Sequence, residues 1–179
     1  MKIYSTRHGQ TDYNANHRIL GITDVELNEI GVQQAEKLAE DIKQLGDVDI
    51  IISSPMKRAF NTASKVAEVN RLEIVTDERL REWDYGYFEG MNFDTTPDFA
   101  VNKREFGVKM GDNGESLLQL AHRVYSVLDD IIKTYHDKNV LIVSHGGICR
   151  IIETYFNNLT TEQYSNWFMG NCQVIEYEV

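Results

Sequence analysis

The chain predicts an α/β sandwich on a mainly parallel central sheet, and three observations carry that prediction. Short apolar runs of strand length alternate with longer stretches whose apolar residues recur at three-four spacing. Two of the runs, Ile3-Tyr4-Ser5-Thr6 and Val140-Leu141-Ile142-Val143, stop at a histidine followed by glycine, in Arg7-His8-Gly9 and Ser144-His145-Gly146-Gly147. Finally, 179 residues with 42% hydrophobic content suit a single domain, 1–179, with a core of its own. In a parallel sheet the carboxyl ends of the strands line one edge, where ligands bind. Two strand-end histidines therefore point to one shared site.

The elements follow in order. After the first strand, Asp12 to Glu26 is polar, without a sustained period, and is predicted to be a long loop. Asn28 caps a helix from Glu29 to Leu45, with Ile30, Ala35, Leu38, Ala39, Ile42 and Leu45 near one face, and Gly46 ends it. Asp49 to Ser53 is a short strand. Ser54-Pro55 then opens a helix running to Val69, with Ser at the cap and Pro at the first helical position.

Lys57 and Arg58 stand in the first turn of that helix, where the macrodipole disfavours cations. A solvated face accounts for Lys57, whereas Arg58 fits an anion held jointly by the helix start and the guanidinium. Leu72 to Thr76 is another strand. Leu80 to Gly90 has neither period and mixes acids, aromatics and glycines, as a partly dry site would. Met91 to Asn113 reads as an excursion or cap, with a short helix from Phe99 to Phe106. A long amphipathic helix runs from Ser116 to His136, its stripe made by Leu117, Leu120, Ala121, Val124, Leu128, Ile131 and Tyr135, with His122 in solvent. After the Val140 strand come a helix from Gly147 to Asn157, a short helix from Thr160 to Trp167 opened by the Thr160/Gln163 capping box, and a strand from Cys172 to Glu178.

Composition excludes several classes. The net charge of -10 argues against a nucleic-acid surface, so an anion would need a local basic pocket. No run approaches the ~20 apolar residues of a membrane span, and the start Met1-Lys2-Ile3 is unlike a signal peptide, so the expectation is a cytoplasmic protein without membrane contact. Cys149 and Cys172 are too few for a disulfide framework and are expected to be reduced. The expected assembly is a monomer or homodimer, and no cofactor is called for.

The strand-end set Arg7, His8, Arg58 and His145, with an acidic loop, admits three chemistries. In phosphoryl transfer, Arg forks match phosphate oxygens and spread positive charge over the transition state. A neutral imidazole can attack phosphorus directly, and nearby cations keep it unprotonated. Glu82, in its aromatic loop, is the candidate to protonate the leaving oxygen and to deprotonate the attacking water. A metal site of His8, His145 and Glu82 or Asp84 is the second reading, though Arg7 and Arg58 would repel a divalent ion. A non-catalytic anion-binding protein is the third, and it leaves the nucleophile and the acid without a task. Trp83, Tyr85, Tyr87 and Phe88 fit either an organic leaving group or simple core.

Five blocks in order resemble the histidine phosphatase superfamily, in the branch that includes cofactor-dependent phosphoglycerate mutases and α-ribazole phosphatases. They are Thr6-Arg7-His8-Gly9-Gln10-Thr11 with Asn14; Leu27 to Ala35; Ser53-Ser54-Pro55 through Arg58-Ala59 and Thr62-Ala63; Leu80-Arg81-Glu82 through Glu89-Gly90; and Gly114-Glu115-Ser116 with Ser144 to Gly147. The resemblance implies a three-layer α/β/α sandwich of phosphoglycerate mutase-like type. It implies that His8 is the phosphorylated nucleophile, that Arg7, Arg58 and His145 form the phosphate pocket, and that Glu82 is the proton donor. It further implies substrate contacts from Gln10, Thr11, Asn14, Gly21 and Gly146, and no metal. Leu20 and Glu26 depart from the family pattern beside the site, which bears on substrate preference. The family's mutases carry a longer, more basic insertion after the acid loop, whereas 91–113 offers Lys103, Arg104 and Lys109 alone. A phosphomonoester hydrolase is therefore expected, with phosphoglycerate mutase as the alternative.

Overall fold

The computed structural model describes residues 1–179. Five strands, β1 (Lys2–Arg7), β2 (Ile50–Ser53), β3 (Ile74–Thr76), β4 (Val140–Ser144) and β5 (Val174–Glu178), form one sheet in the order β3-β2-β4-β1-β5. β1, β4, β2 and β3 pair parallel to one another, and β5 joins β1 antiparallel at the edge. The side-chain period of two sorts the strands into two cores. Ile3, Ile50, Ile52, Val140 and Ile142 pack in one apolar cluster with α5 (Leu117–Thr134) and α6 (Gly146–Phe156), through Leu120, Val124, Leu128, Ile148 and Ile152. Their alternates Tyr4, Ile51, Leu141 and Val143 pack in the other with α2 (Glu29–Leu45) and α3 (Lys57–Asn70), through Leu38, Ala39, Ile42, Ala59, Ala63 and Val66. Helices thus cover both faces of a doubly buried sheet, which is why its central strands read as continuous apolar runs.

Most helix ends obey local rules. Asn28 accepts the Gly31 amide at the start of α2 and Gly46, at φ 67°, closes it; Ser116 and Thr160 open α5 and α7 (Thr161–Asn166) with capping boxes to Gln119 and Gln163. Elsewhere the structure differs from the sequence prediction. The 12–26 loop contains a one-turn helix, α1 (Asp12–Ala15), made by a Thr11/Asn14 capping box and too short to show a period. α3 starts at Lys57 with Met56 as its cap; Ser54 accepts the Met56 amide in a turn before the helix. The 72–76 strand shrinks to β3. The last strand starts at Val174 because Cys172, at φ 57°, gives its amide to Arg7 O and bends the chain there. In 91–113 the helix is α4 (Pro97–Asn102), led by Pro97 rather than Phe99, and buried Phe99 and Met110 anchor the segment to the first core.

Register brings the strand ends together. Arg7 pairs with Ser144 and Ser53 with Val143, so β1, β2 and β4 end level. His8 N then donates to Ser144 O at 2.9 Å, and Ser54 N to Val143 O at 3.0 Å.

Candidate active site

His8 leaves β1 buried, at 2% exposure, with its backbone held on three sides. Its amide is on Ser144 O, its carbonyl accepts from Asn171 Nδ2 at 2.8 Å, and the next amide, Gly9 N, donates to Thr62 Oγ1 at 3.0 Å. Glycine is required at 9 by α2, since a Cβ there would meet Gly31 O at 2.4 Å. The ring's Nδ1 lies 2.7 Å from Gly9 O, and because a carbonyl can only accept, Nδ1 carries the proton. Nε2 keeps its lone pair, which faces Arg58 Nε at 3.2 Å.

Arg58 is fully buried on α3, and its two terminal nitrogens donate to Gly21 O at 2.8 Å and Thr23 O at 2.9 Å. The 21–23 segment is held in turn by Glu89, whose carboxylate accepts the Ile22 and Thr23 amides. Burial brings the Arg58 pKa down to about 10 against the pull of Glu82, Asp24 and Glu89, so the guanidinium stays charged. His145, also fully buried, stands with its ring centroid 5.2 Å from that of His8 and its Nε2 2.8 Å from Ser54 Oγ. Burial first, then the charge of Arg58, holds both histidines well below the ordinary imidazole pKa, with Arg7 adding to the shift.

Arg7 donates one terminal nitrogen to Met169 O at 3.1 Å and sits 5.6 Å from the Phe168 ring. Its Nε and His145 Nδ1 are buried polar atoms with no protein partner. An unpartnered buried donor is unfavourable by about 1–3 kcal/mol. An oxyanion between these groups would satisfy it.

Glu82, at 5% exposure, accepts the Trp83 amide at 2.8 Å and, at 3.1 Å, the Gly147 amide in the first turn of α6. Gly147 has to be glycine for this approach, because a Cβ would lie 2.5 Å from Glu82 Oε1. Arg123, on α5, clamps the same loop. It pairs with both Glu115 oxygens and donates to the carbonyls of Arg79, Arg81 and Glu82.

The site opens into a cavity of about 450 Å³. Of the residues proposed from sequence, Arg7, Gln10, Asn14, Glu82 and Gly146 line it. His8, Arg58 and His145 are packed against one another and buried, and are not among the residues that line the cavity. Thr11 and Gly21 do not reach the cavity: Thr11 caps α1, and Gly21 serves through its carbonyl on Arg58. Gln10 is partly occupied, its Oε1 accepting from Asn28. Leu20 is on the wall, whereas Glu26 is outside, paired with Lys57 on an exposed surface. Tyr85 lines the cavity, Trp83 and Phe88 are core, and Tyr87 is exposed, so the aromatic loop divides between the two roles considered for it. Sequence reasoning missed Arg150, Lys103, Phe168 and Asn171, all on the cavity wall. For Arg150 a signal existed, since it follows Gly147 by three residues and so shares its helix face. Asn171 sits in an aperiodic turn and had none. No three His, Cys, Asp or Glu side chains converge as metal ligands would, and no helix is long and apolar enough to cross a membrane.

The two depressed histidines make stability acid-sensitive. Each is neutral when folded but takes up a proton near pH 6.5 when unfolded, so below that pH the unfolded chain binds more protons and stability falls. Stability is therefore expected to fall between pH 7 and pH 5. Urea midpoints at the two pH values measure it; equal midpoints would contradict neutral burial.

Known proteins place this arrangement. The model of the histidine phosphatase superfamily (branch 1) matches residues 3–179. A putative phosphoserine phosphatase 2 of Hydrogenobacter thermophilus is 34% identical over 180 residues, covering 98% of this chain and 88% of that one. A probable phosphoglycerate mutase, GpmB, of Proteus mirabilis is 36% identical over 151 residues, covering 82% of this chain and 70% of that one. Among solved structures, a mycobacterial glucosyl-3-phosphoglycerate phosphatase complexed with VO3 superposes with a TM-score of 0.85 at 29% identity, over 98% of this chain and 91% of the other. The chain belongs to branch 1 of the histidine phosphatase superfamily.

Proposed function

We propose that this histidine phosphatase hydrolyses small phosphomonoesters through a phosphohistidine on His8. The observation that carries the reading is the fixed tautomer of His8, whose Nδ1–H is committed to Gly9 O while the Nε2 lone pair faces a cation. An imidazole held neutral by burial and by two guanidiniums is a nucleophile at neutral pH. In the first step Nε2 forms a bond to phosphorus as the phosphorus–oxygen bond to the leaving group breaks, and Glu82, entering the step as the carboxylic acid, gives its proton to that oxygen and is left as the carboxylate. In the second, Glu82 takes a proton from water, whose oxygen bonds phosphorus as the Nε2–phosphorus bond breaks. Arg7, Arg58 and His145 hold the phosphoryl oxygens throughout; Arg58 Nε exchanges its contact with Nε2 for one with an oxygen as Nε2 is consumed.

Phosphoglycerate mutase is the second reading, favoured by the likeness to the Proteus mirabilis protein. Hydrolysis is preferred because 91–113 contributes Lys103 as its single cation on the cavity wall, whereas retaining a bisphosphorylated intermediate calls for more. The test is incubation with a labelled phosphomonoester, an alkaline quench and peptide mapping, beside an assay of phosphate release over a panel of phosphorylated metabolites. An acid-labile label on His8 with phosphate release is expected. Label transferred to a second monophosphate instead of water would establish the mutase, and binding without label would leave an anion-binding protein.

A further inference from the structure

Ser54 has no task in the chemistry just described, yet it stands against one of the two histidines. It is fully buried at the junction between β2 and α3, and its backbone is fixed on both sides. Its amide donates to Val143 O at 3.0 Å, and its carbonyl accepts from Ser53 Oγ at 2.9 Å. The side-chain oxygen accepts the Met56 amide at 3.3 Å and lies 2.8 Å from His145 Nε2. His145 is equally buried, and its other ring nitrogen, Nδ1, has no partner in the protein; neither has Arg7 Nε. Burial and the charge of Arg58 keep the ring neutral. A neutral imidazole carries one proton, so one nitrogen donates and the other accepts.

We propose, on the reading of His145 as part of the phosphate pocket, that Ser54 is a positioning residue. Its hydroxyl donates to His145 Nε2, which fixes the ring proton on Nδ1 and presents that N–H to a phosphoryl oxygen. Counting donors and acceptors decides between the two tautomers. With the proton on Nε2, the ring would donate to Ser54 Oγ, which already accepts from Met56. Both lone pairs of the hydroxyl would then be used, and its own hydrogen would be buried without an acceptor. Nδ1 would also turn a lone pair toward the anion, where a donor is needed. With the proton on Nδ1, the hydroxyl accepts from Met56 and donates to Nε2, so both groups are satisfied there. The one group left over is a buried donor, which an oxyanion pairs. His8 makes the contrast. Its Nδ1–H is held by Gly9 O, which leaves Nε2 free as a lone pair; in His145 a hydroxyl on Nε2 leaves Nδ1–H free as a donor. Two rings 5.2 Å apart thus carry the same tautomer and offer the phosphoryl group opposite faces, one to attack and one to bind.

The test is nitrogen NMR of the full chain carrying isotope-labelled histidine, free and loaded with inorganic phosphate. In wild type both states are expected to show His145 protonated on Nδ1 and unprotonated on Nε2, with the Nδ1 resonance moving as phosphate binds. Ser54→Ala should redistribute the proton between the two nitrogens and weaken phosphate binding by about tenfold, the scale of one hydrogen bond to a charged group. Ser54→Thr keeps the hydroxyl and should keep the proton on Nδ1. In a His145→Ala background Ser54→Ala should cost no further affinity, which separates action through the imidazole from packing. Thermal melts check that each variant is folded. A proton on Nε2 of His145, in a wild type that hydrolyses phosphomonoesters, would overturn the role of Ser54 and leave the phosphatase standing. Equal losses of affinity from Ser54→Ala in both backgrounds would overturn it too, as would a Nδ1 resonance indifferent to phosphate. A proton on Nδ1 that responds to phosphate, in a protein that hydrolyses no phosphomonoester, would uphold the role of Ser54 and overturn the phosphatase.

Discussion

His8→Ala should give a folded protein whose kcat for any phosphomonoester falls by on the order of 10⁴ to 10⁶, the loss seen when a covalent nucleophile is removed. The imidazole offers phosphorus the lone pair of Nε2, because Nδ1–H is tied to Gly9 O. Alanine removes that lone pair and leaves the anion pocket in place. Arg58 keeps its contacts to Gly21 and Thr23, and Arg7 keeps Met169, so inorganic phosphate should still bind the variant. Equilibrium binding of phosphate beside single-turnover kinetics distinguishes the two effects. Wild-type turnover in the variant would refute covalent catalysis by His8; lost phosphate binding would show that His8 builds the pocket instead.

Glu82→Gln should slow hydrolysis in proportion to the basicity of the leaving oxygen. For an alkyl phosphate the expected loss is about 10²- to 10⁴-fold, the usual contribution of a positioned acid, while an ester of an acidic phenol, which leaves without a proton, should lose far less. The ratio between substrates is the informative quantity, since the substitution also disturbs packing. Two backbone amides, Trp83 N and Gly147 N, donate to the two carboxylate oxygens, and glutamine can accept through only one of its two terminal atoms. A structural loss of that kind lowers both substrates alike. Equal losses across leaving groups would therefore remove Glu82 from the role of proton donor.

Much of the fold was legible in the sequence because its physics is local. The alternation that sends Ile51 to one core and Ile50 and Ile52 to the other is a property of extended backbone, and Asn28, Gly46, Ser116 and Thr160 end their helices by contacts within a few residues. The elements that escaped were those decided by contacts distant in sequence. Ser54-Pro55 has the chemistry of a helix start, yet the serine is taken by Met56 N and His145, so α3 begins later. The turn at Cys172 exists because its amide is drawn to Arg7 O, across more than 160 residues of chain.

The same division runs through the site. By itself the sequence determined which chemical groups are delivered to the sheet edge, because strands that end on Arg7-His8 and on Ser144-His145 must place those residues where parallel strands end. It also determined the family, through five ordered blocks. Only the tertiary structure decided how each group is held there. The tautomer of His8, the loss of Thr11 and Gly21 from the cavity wall, and the arrival of Lys103 and Arg150 on it depend on hydrogen bonds and burial made between distant segments. Protonation and access are set by surroundings, and surroundings are assembled when the chain closes on itself.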